Sequence, residues 1–273
     1  MQGDLHCHSR YSDGSSKVED IIVYAKRFNL DYIALTDHDT MAGVPKAVEL
    51  GAKCGLSVIP AVECSCFDNE RNRAVHVLCY NPKDIATLNK ELQKTLNSRR
   101  NQKFKIIEKL QKLYPIKYED VFKYCLESES IYECHIMQAL ADLGYTNTVI
   151  GSFMAELMSP SGSCFVPTDY IDVREIVKLI SDVGGVAVVA HPEEYDSIDL
   201  VLELAEKKLI KGVEVFHPRN SDATRISLLE IAKKFDLLTT GGSDFHGQFS
   251  KRPNPLGTCT TDEKTILKIL SNI

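Results

Sequence analysis

The sequence of 273 residues contains no tryptophan, and aromatic residues make up only 8% of it. No apolar run approaches the ~18 residues of a membrane-spanning helix, so we expect no membrane segment. The net charge is −6, which argues against non-specific binding to duplex nucleic acid or to an anionic membrane. Hydrophobic residues make up 44% and charged residues 26%, as in an ordinary soluble globular protein.

The nine cysteines lack the pattern of a disulfide framework. Their number is odd, their spacing is scattered and no C-x-x-C pair occurs, so we expect a reducing environment and mostly buried thiols. No signal peptide precedes the first motif, at Asp4, and the predicted location is therefore the cytoplasm. Cys64 and Cys66 could form a thiolate pair, but on a strand they share the face opposite Glu63, which favours a structural role.

The first eighty residues alternate between strand-like and helix-like patterns. A β-α-β-α succession implies parallel strands with helices outside. The helix that begins near residue 17 has Ser15 or Ser16 as its expected cap. Strands are predicted at residues 3–8, 31–36, 57–64 and 74–80, and helices at 17–28 and 40–54.

The pattern changes after Asn81-Pro82, where the chain becomes polar and helical. We expect residues 81–171 to form a mainly helical insertion, with residues 1–80 and 172–273 forming one discontinuous barrel. The insertion is predicted to contain helices at 84–113, 118–126, 131–143 and 148–157 and a strand at 163–166.

The alternation then resumes and continues to the end of the chain. About seven strands result, and their apolar composition favours a closed or nearly closed barrel. In such barrels the chemistry lies at the C-terminal ends of the strands. This second part is predicted to contain strands at 185–190, 212–216 and 237–241, an extended piece near 256–260, and helices at 173–183, 200–208, 223–235 and from 263.

Seven of the eight histidines fall at or near the C-terminal end of a predicted strand. His6 and His8 are spaced i, i+2, which places both imidazoles on one face of a strand, and Asp244 and His246 repeat that spacing. Imidazoles together with a carboxylate such as Asp13 suit Zn²⁺, Mn²⁺ or Fe²⁺. Seven histidines at one rim therefore predict a metal centre. The remaining members of this set are His38, Glu63, His76, His191 and His217.

Six segments are specific when taken together, although each is weak alone. They are DLHCH at 4–8, SDG at 12–14, TDHDT at 36–40, PAVE at 60–63, AHP at 190–192 and GSDFH at 242–246. They resemble the PHP (polymerase and histidinol phosphatase) family, and their order looks most like its stand-alone bacterial phosphoesterases. That subgroup includes nucleotide phosphatases and a 5'-to-3' exonuclease acting on short RNA. The resemblance implies a distorted (β/α)7 barrel that holds two or three divalent metal ions.

The resemblance also implies a set of ligands for each metal. Glu63 would bridge the first two metals, and both Glu63 and His191 are expected to be essential for catalysis. Asp13 stands where the family often has a histidine, which implies either a weaker third site or one that prefers Mn²⁺ or Mg²⁺ over Zn²⁺. The implied ligands are His6, His8, Glu63 and Asp244 for the first metal, Glu63, His76 and His191 for the second, and Asp13, His38 and His246 for the third.

Four residues that are not among the implied metal ligands are predicted to contact the substrate. His217 could bind phosphate or protonate the leaving oxygen. Arg219 could bind a phosphate bidentately. The equally weighted alternative is that Arg219 is a solvated loop residue. Arg99 and Arg100 resemble an arginine pair of the family, and a solvated helix face is the alternative reading.

The inserted block contributes one further predicted contact. In the family this insertion covers the active site, which makes His135 a candidate contact for phosphate or sugar. The family tends to carry an arginine two positions earlier, where this chain has Glu133. A glutamate at that position would repel phosphate.

The predicted function is hydrolysis of phosphate esters by a hydroxide that bridges the metals. The expected substrates are AMP, 3',5'-bisphosphorylated nucleosides or short oligonucleotides, since a large lid suits a substrate bigger than one phosphate on a short carbon chain. The alternative is a phosphatase for histidinol phosphate or for a sugar phosphate, including a cyclic one. A non-catalytic metal-binding module is a third possibility. No G-x-x-x-x-G-K-[ST] loop is present, so ATP use is not expected.

Overall fold

The computed structural model describes residues 1–272, in which helices and strands alternate on both sides of a helical block. The first part contains β1 (Gln2–Cys7), α1 (Val18–Arg27), β2 (Tyr32–Leu35), α2 (Val44–Cys54), β3 (Ser57–Asp68) and β4 (Arg73–Tyr80). The helical block contains α3 (Ile85–Leu110), α4 (Tyr118–Phe122), α5 (Glu133–Asp142) and α6 (Ser152–Met158). The last part contains β5 (Ile171–Asp172), α7 (Val173–Asp182), β6 (Val186–Val189), α8 (Ile198–Glu206), β7 (Gly212–Phe216), α9 (Asp222–Phe235), β8 (Leu238–Gly241), β9 (Thr261–Asp262) and α10 (Glu263–Ser271).

The strands form one sheet that bends into a nearly closed barrel, in the order β8-β7-β6-β4-β3-β2-β1-β9. The barrel closes where the segment after β8 lies beside β1. There the His8 amide donates to the Phe245 carbonyl at 2.8 Å, and the Asp244 amide donates to the His6 carbonyl at 2.9 Å. The predicted α/β barrel is therefore confirmed.

The expectation of an all-parallel sheet is wrong at two strands, β4 and the short edge strand β9, which pairs antiparallel with β1. β4 runs antiparallel to both of its neighbours, β3 and β6. Only residues 69–72 connect β3 to β4, and a connection that short makes a hairpin, because a parallel crossover needs a dozen or more residues. The pairs β1–β2, β2–β3, β6–β7 and β7–β8 are parallel.

Apolar side chains fill the barrel and also hold the helices against its outer face. Leu5, Leu78, Tyr80 and Val188 are fully buried in one cluster, and the Tyr80 hydroxyl donates to the Leu5 carbonyl at 2.9 Å. Alternate residues of the same strands, such as Val77, join the cluster that packs against α7, α8 and α9. This alternation follows from the two-residue period of a strand.

The helical block has a core of its own, which contains Ile136, Met137 and Leu140. The end of α3 belongs to that core, whereas Leu88 and Leu92 near its start pack into the barrel cluster. α3 therefore joins the two parts. The boundaries at 81 and 171 stay a prediction. No helix among residues 1–272 is long and apolar enough to cross a membrane.

Several local predictions need correction. α1 has Lys17 at its N-cap with no side-chain cap, because the Ser15 hydroxyl accepts instead from the Gln248 amide at 2.7 Å. α2 begins at Val44, just before Pro45, a residue suited to the first turn of a helix. Residues 163–166 form a turn and irregular backbone in place of the predicted strand, and residues 256–260 form a turn and a bend in place of the predicted extended piece. The short strand β9 follows them.

Candidate metal centre

The predicted metal residues converge at one rim of the barrel. His6 lies in β1 and His8 just after it, while His191 and Asp244 follow β6 and β8. Glu63 was expected to end its strand, but β3 continues to Asp68 and places Glu63 in its middle. His76 reaches the same rim from within β4, because that strand runs antiparallel to its neighbours.

Glu63 is the centre of the cluster. Its Oε2 atom lies 3.3 Å from Nε2 of both His6 and His8 and 3.2 Å from Nδ1 of His38. Its Oε1 atom lies 2.9 Å from Nδ1 of His76 and 2.9 Å from Nε2 of His191. One buried carboxylate thus faces five imidazoles, with three on one oxygen and two on the other.

Asp244 forms a second carboxylate centre next to Glu63. Its Oδ1 atom lies 3.5 Å from Nε2 of His6, 3.3 Å from Nε2 of His8 and 3.4 Å from Nδ1 of His246. Its Oδ2 atom lies 3.4 Å from Nε2 of His217. His6, His8 and Asp244 lie close enough to share one ion.

Asp13 lies at the outer end of the cluster. Its carboxylate oxygens lie 3.6 Å from Nε2 of His38 and 3.3 Å from Nε2 of His246. His8 also approaches it, with Nδ1 at 3.7 Å, so that these four residues form one ligand group. The three residues predicted for a third metal therefore do lie together, with His8 added.

The donor atoms fit divalent metals. Among residues 1–272, no hydrogen-bond partner reaches five buried ring nitrogens, which are His6 Nε2, both nitrogens of His8, His38 Nδ1 and His191 Nδ1. Unpaired buried polar atoms are costly, and metal ions would satisfy the lone pairs of neutral imidazoles. A set of imidazoles and carboxylates without thiolates suits Mn²⁺, Fe²⁺ or Zn²⁺.

The charges of these groups are strongly coupled in the metal-free protein. Burial favours the neutral acid of Glu63, but the histidines around it outweigh burial and hold its pKa well below the usual range. Burial also favours a neutral His8, yet the carboxylates of Asp244 and Glu63, each 3.3 Å from its Nε2 atom, raise its pKa to about 10. Because metals bind neutral imidazoles, a metal must displace protons from this cluster.

Glu214 is a site residue that the sequence reasoning missed. Its carboxylate is fully buried and lies 3.0 Å from His6 Nδ1, and it accepts the backbone N–H of His191 at 2.9 Å. The available signal was a charged residue in the middle of an apolar strand, between Val213 and Val215.

His217 lies behind Asp244 and is fully buried. Its Nδ1 atom accepts the backbone N–H of Arg219 at 3.1 Å, so a neutral ring carries its proton on Nε2, which faces Asp244. That nitrogen lies 3.4 Å from Asp244 Oδ2, and the predicted contact of His217 with the phosphate or the leaving oxygen stays a prediction.

A cavity of about 200 Å³ opens on the metal residues. Arg219 and Tyr195 line it together with Glu194, Ile150 and Phe249. Arg219 pairs with Glu194, and its Nη2 atom lies 3.6 Å from Asp244 Oδ2. The Tyr195 hydroxyl, also missed at the sequence level, lies 3.4 Å from His76 Nε2.

His135 lines a neighbouring cavity of about 350 Å³, with Arg10, Lys123 and Phe249 also in its wall. Since Phe249 also lines the metal cavity, the two cavities adjoin. The Nδ1 atom of His135 accepts the Tyr132 backbone N–H at 3.2 Å, and burial lowers the pKa of His135 to about 4. His135 is thus a neutral group whose Nε2–H is available as a donor.

Arg99 and Arg100 of the helical block both form hydrogen bonds within the protein. Arg99 is buried rather than solvated, and its Nη2 atom donates to Asp39 at 3.0 Å and to Ser65 at 2.8 Å. Arg100 donates to the Glu129 carbonyl at 2.6 Å. Neither arginine lines the metal cavity, and their predicted contacts with the substrate stay predictions.

Glu133 does not stand as an isolated negative charge. Its Oε1 atom lies 2.5 Å from Nζ of Lys103, which is buried. Lys103 contributes most of the attraction that outweighs burial and lowers the pKa of Glu133. The expected repulsion between Glu133 and phosphate is therefore largely offset within the protein.

Comparisons with known proteins agree with this fold and site. The chain belongs to the PHP family, whose domain model matches residues 4–183. It is 34% identical over 256 residues to a phosphoribosyl 1,2-cyclic phosphate 1,2-diphosphodiesterase from Eggerthella lenta, covering 93% of this chain and 97% of that protein. It is 30% identical over 256 residues to a 5'-3' exoribonuclease from Haemophilus influenzae, covering 89% of each.

A solved structure shows the same architecture. A protein from Bifidobacterium adolescentis, assigned as a metal-dependent phosphoesterase, superimposes with a TM-score of 0.88 at 30% identity. The match covers 99% of this chain and 96% of that one. The predicted class of enzyme, a metal-dependent phosphoesterase, is confirmed by these relatives.

Proposed function

We propose that this protein hydrolyses a phosphate ester of a small sugar, with a cyclic phosphate of ribose as the leading substrate. The observation that carries the proposal is the cavity of about 200 Å³ beside Glu63, with Arg219 and Tyr195 in its wall. This volume lies below the ~300–1,000 Å³ of pockets that enclose drug-sized ligands. A phosphorylated pentose suits it better than a complete nucleotide.

The similarity to the Eggerthella lenta enzyme supports the same substrate class. That relative is named for a cyclic phosphate of a phosphorylated ribose, and the two proteins match over nearly their full lengths. The sequence favoured a nucleotide substrate because the inserted block is large, and the cavity and this similarity reverse that preference. Much of that block serves its own core, and α3 also packs on the barrel.

The site would hold two or three divalent ions, with Mn, Fe and Zn as the candidates. Glu63 would bridge two of them, because its two oxygens face different histidines. His8, Asp13, His38 and His246 would hold the third. Metals bound there supply an activated water and neutralise the charge of the phosphoryl oxygens.

Two protein groups would orient the substrate. Arg219 lies at the cavity wall with a side chain that is 43% exposed, so it can turn toward a phosphate and bind it bidentately. If the lone pair of His76 Nδ1, which faces Glu63, holds a metal ion, the ring proton is on Nε2 and can be donated to the Tyr195 oxygen at 3.4 Å. The Tyr195 hydrogen is then free to donate to a substrate oxygen.

A nucleotide or short oligonucleotide is the second candidate substrate. The observation that favours it is the adjoining cavity of about 350 Å³, in which Arg10, Lys123 and His135 present donors. Phe249 lies in the wall of both cavities and could stack on a base. In that arrangement the reacting phosphate occupies the metal cavity and the nucleoside extends into the second one.

The test is a substrate panel followed by ³¹P NMR in the presence of Mn²⁺. The panel contains ribose 1,2-cyclic phosphate 5-phosphate, adenosine 3',5'-bisphosphate, a 5'-phosphorylated trinucleotide and histidinol phosphate. We expect the highest kcat/KM for the cyclic sugar phosphate, with no turnover by the Glu63→Gln variant. A higher kcat/KM for the bisphosphate or the trinucleotide would replace the first candidate by the second.

A further inference from the structure

Glu214 is a buried acid in an unusual place. It lies in the middle of β7, and its neighbours Val213 and Val215 point into the apolar cluster outside the barrel. Its side chain therefore points to the opposite, inner face. A buried carboxylate is costly unless hydrogen bonds compensate for lost hydration. Those compensating contacts are His6 and the backbone of His191.

The contact with His6 determines which ring nitrogen carries the proton. His6 Nδ1 lies 3.0 Å and 3.2 Å from the two oxygens of Glu214. An ionised carboxylate can only accept hydrogen bonds, so Nδ1 must be the donor. The lone pair of a neutral His6 is then on Nε2, which faces Glu63 at 3.3 Å and Asp244 at 3.5 Å.

The contact with His191 acts on the backbone instead of the ring. His191 has a φ of +26°, which is a strained conformation for a residue with a Cβ atom and needs support from its surroundings. Its N–H donates to Glu214 Oε2 at 2.9 Å. With the backbone held in this way, the ring reaches Glu63 Oε1 at 2.9 Å.

We propose that Glu214 is a positioning residue that sets two metal ligands from different strands at once. It fixes the tautomer of His6, which faces one oxygen of Glu63, and the backbone of His191, which faces the other oxygen. Outer contacts of this kind orient ligands and typically change metal affinity by ~10–100-fold. The proposal rests on the proposed metal centre but not on the identity of the substrate.

The test is the Glu214→Gln variant, which keeps the shape of the side chain. A glutamine oxygen can still accept from His191, but its NH₂ group then faces His6 Nδ1. His6 would respond by moving its proton to Nε2, where it blocks metal binding. Glu206→Gln is the matched control, because Glu206 is exposed at the end of α8.

Three measurements without substrate decide the outcome. We expect the Kd for Mn²⁺ to rise by ~10–100-fold in Glu214→Gln, while the Tm of the metal-free protein stays within a few degrees of wild type. Long-range ¹H–¹⁵N NMR of the metal-free variant, at a pH high enough for His6 to be neutral, should show the ring proton on Nε2 in place of Nδ1. The control should match wild type in all three.

Unchanged metal affinity with an unchanged His6 tautomer would overturn the proposal. So would a loss of metal that only follows a large drop in Tm, since that indicates a structural role. If Glu214→Gln does not fold, Glu214→Asp is the second test variant, because its shorter carboxylate cannot reach both His6 and the backbone N–H of His191. We then expect weaker Mn²⁺ binding, and wild-type binding would contradict the proposal. Failure of the substrate proposal leaves all these results unaffected.

Discussion

Arg99 of α3 and Asp39 of the loop after β2 form a buried ion pair, with Nη2 3.0 Å from Oδ2. The other oxygen of Asp39 accepts the backbone N–H of Ser65 at 2.8 Å. Tyr132 adds to the junction, since its ring lies 4.8 Å from the Arg99 guanidinium and its hydroxyl donates to the His38 carbonyl. The helical block is thus tied to the barrel beside a predicted metal ligand.

Replacing Arg99 by methionine should destabilise the protein by about 3–5 kcal/mol, because it leaves Asp39 buried without its partner. The free energy of unfolding from urea denaturation measures the effect. Lys53→Ala is the control, since Lys53 pairs with Glu49 on an exposed helix face and such pairs contribute ~0–1 kcal/mol. A loss below 1 kcal/mol for Arg99→Met would show that the pair does not hold the junction.

The contrast between Arg99 and the histidines shows what the sequence can predict. His6, His38 and His191 could be located because they lie at or just after the ends of predicted strands, and the carboxyl ends of parallel strands meet at one rim. Arg99, Gln102 and Lys103 are buried on α3, yet in the sequence they look like a solvated helix face. Their partners, such as Asp39, come from residues far away in the chain, and local periodicity carries no information about them.

The direction of β4 could have been inferred but was missed. Residues 69–72 are too few for a parallel crossover, and the hairpin explains why Glu63 and His76 meet although neither ends a strand. Glu214 was missed for another reason. A single acidic residue in an apolar strand signals a buried carboxylate but does not reveal its partner.

Metal affinity should increase with pH. His6 and His8 have raised pKa values, to about 10 for His8, because the carboxylates around them outweigh burial. Metals must displace these protons, so binding releases protons and weakens as pH falls from 8 to 6. Calorimetric titration with Mn²⁺ in two buffers of different ionisation enthalpy measures the released protons. Equal binding enthalpies in both buffers would contradict this account.

The metal-free protein should lose stability as pH rises. A raised folded pKa means that the stability contributed by protonated His8 is present below its ordinary value of 6.5 and disappears as pH passes about 10. Melting curves at pH 7 and pH 9.5 should show a lower Tm for the metal-free protein at the higher pH. The metal-loaded protein should change much less, and an identical decrease in both forms would argue against His8 as the cause.

The core of the helical block should contribute to stability without affecting the metals. Leu140 is fully buried there, so Leu140→Ala should cost about 2–5 kcal/mol while the metal content stays at the wild-type value. Leu126→Ala is the matched control, because Leu126 is 83% exposed. A loss of metal in a Leu140→Ala protein that is still folded would mean that the block supports the centre directly.

Arg219 should affect the turnover of the substrate but not the binding of metal. Arg219→Gln removes a charged donor from the cavity, and hydrogen bonds to charged groups contribute ~1.5–3 kcal/mol. We therefore expect kcat/KM to fall by ~10–100-fold with unchanged metal content. Arg252→Gln, at an exposed position, should behave as wild type. Equal kinetics for both variants would exclude Arg219 as a phosphate clamp.

The central claim is that Glu63 joins a multinuclear metal centre that hydrolyses phosphate esters. It is tested most directly by measuring bound metal and turnover of the cyclic ribose phosphate on the same samples of wild type and Glu63→Gln. We predict two or three metal equivalents with turnover in wild type, and fewer metals with activity lower by several orders of magnitude in the variant. Full metal content and near-wild-type turnover in Glu63→Gln would contradict the account.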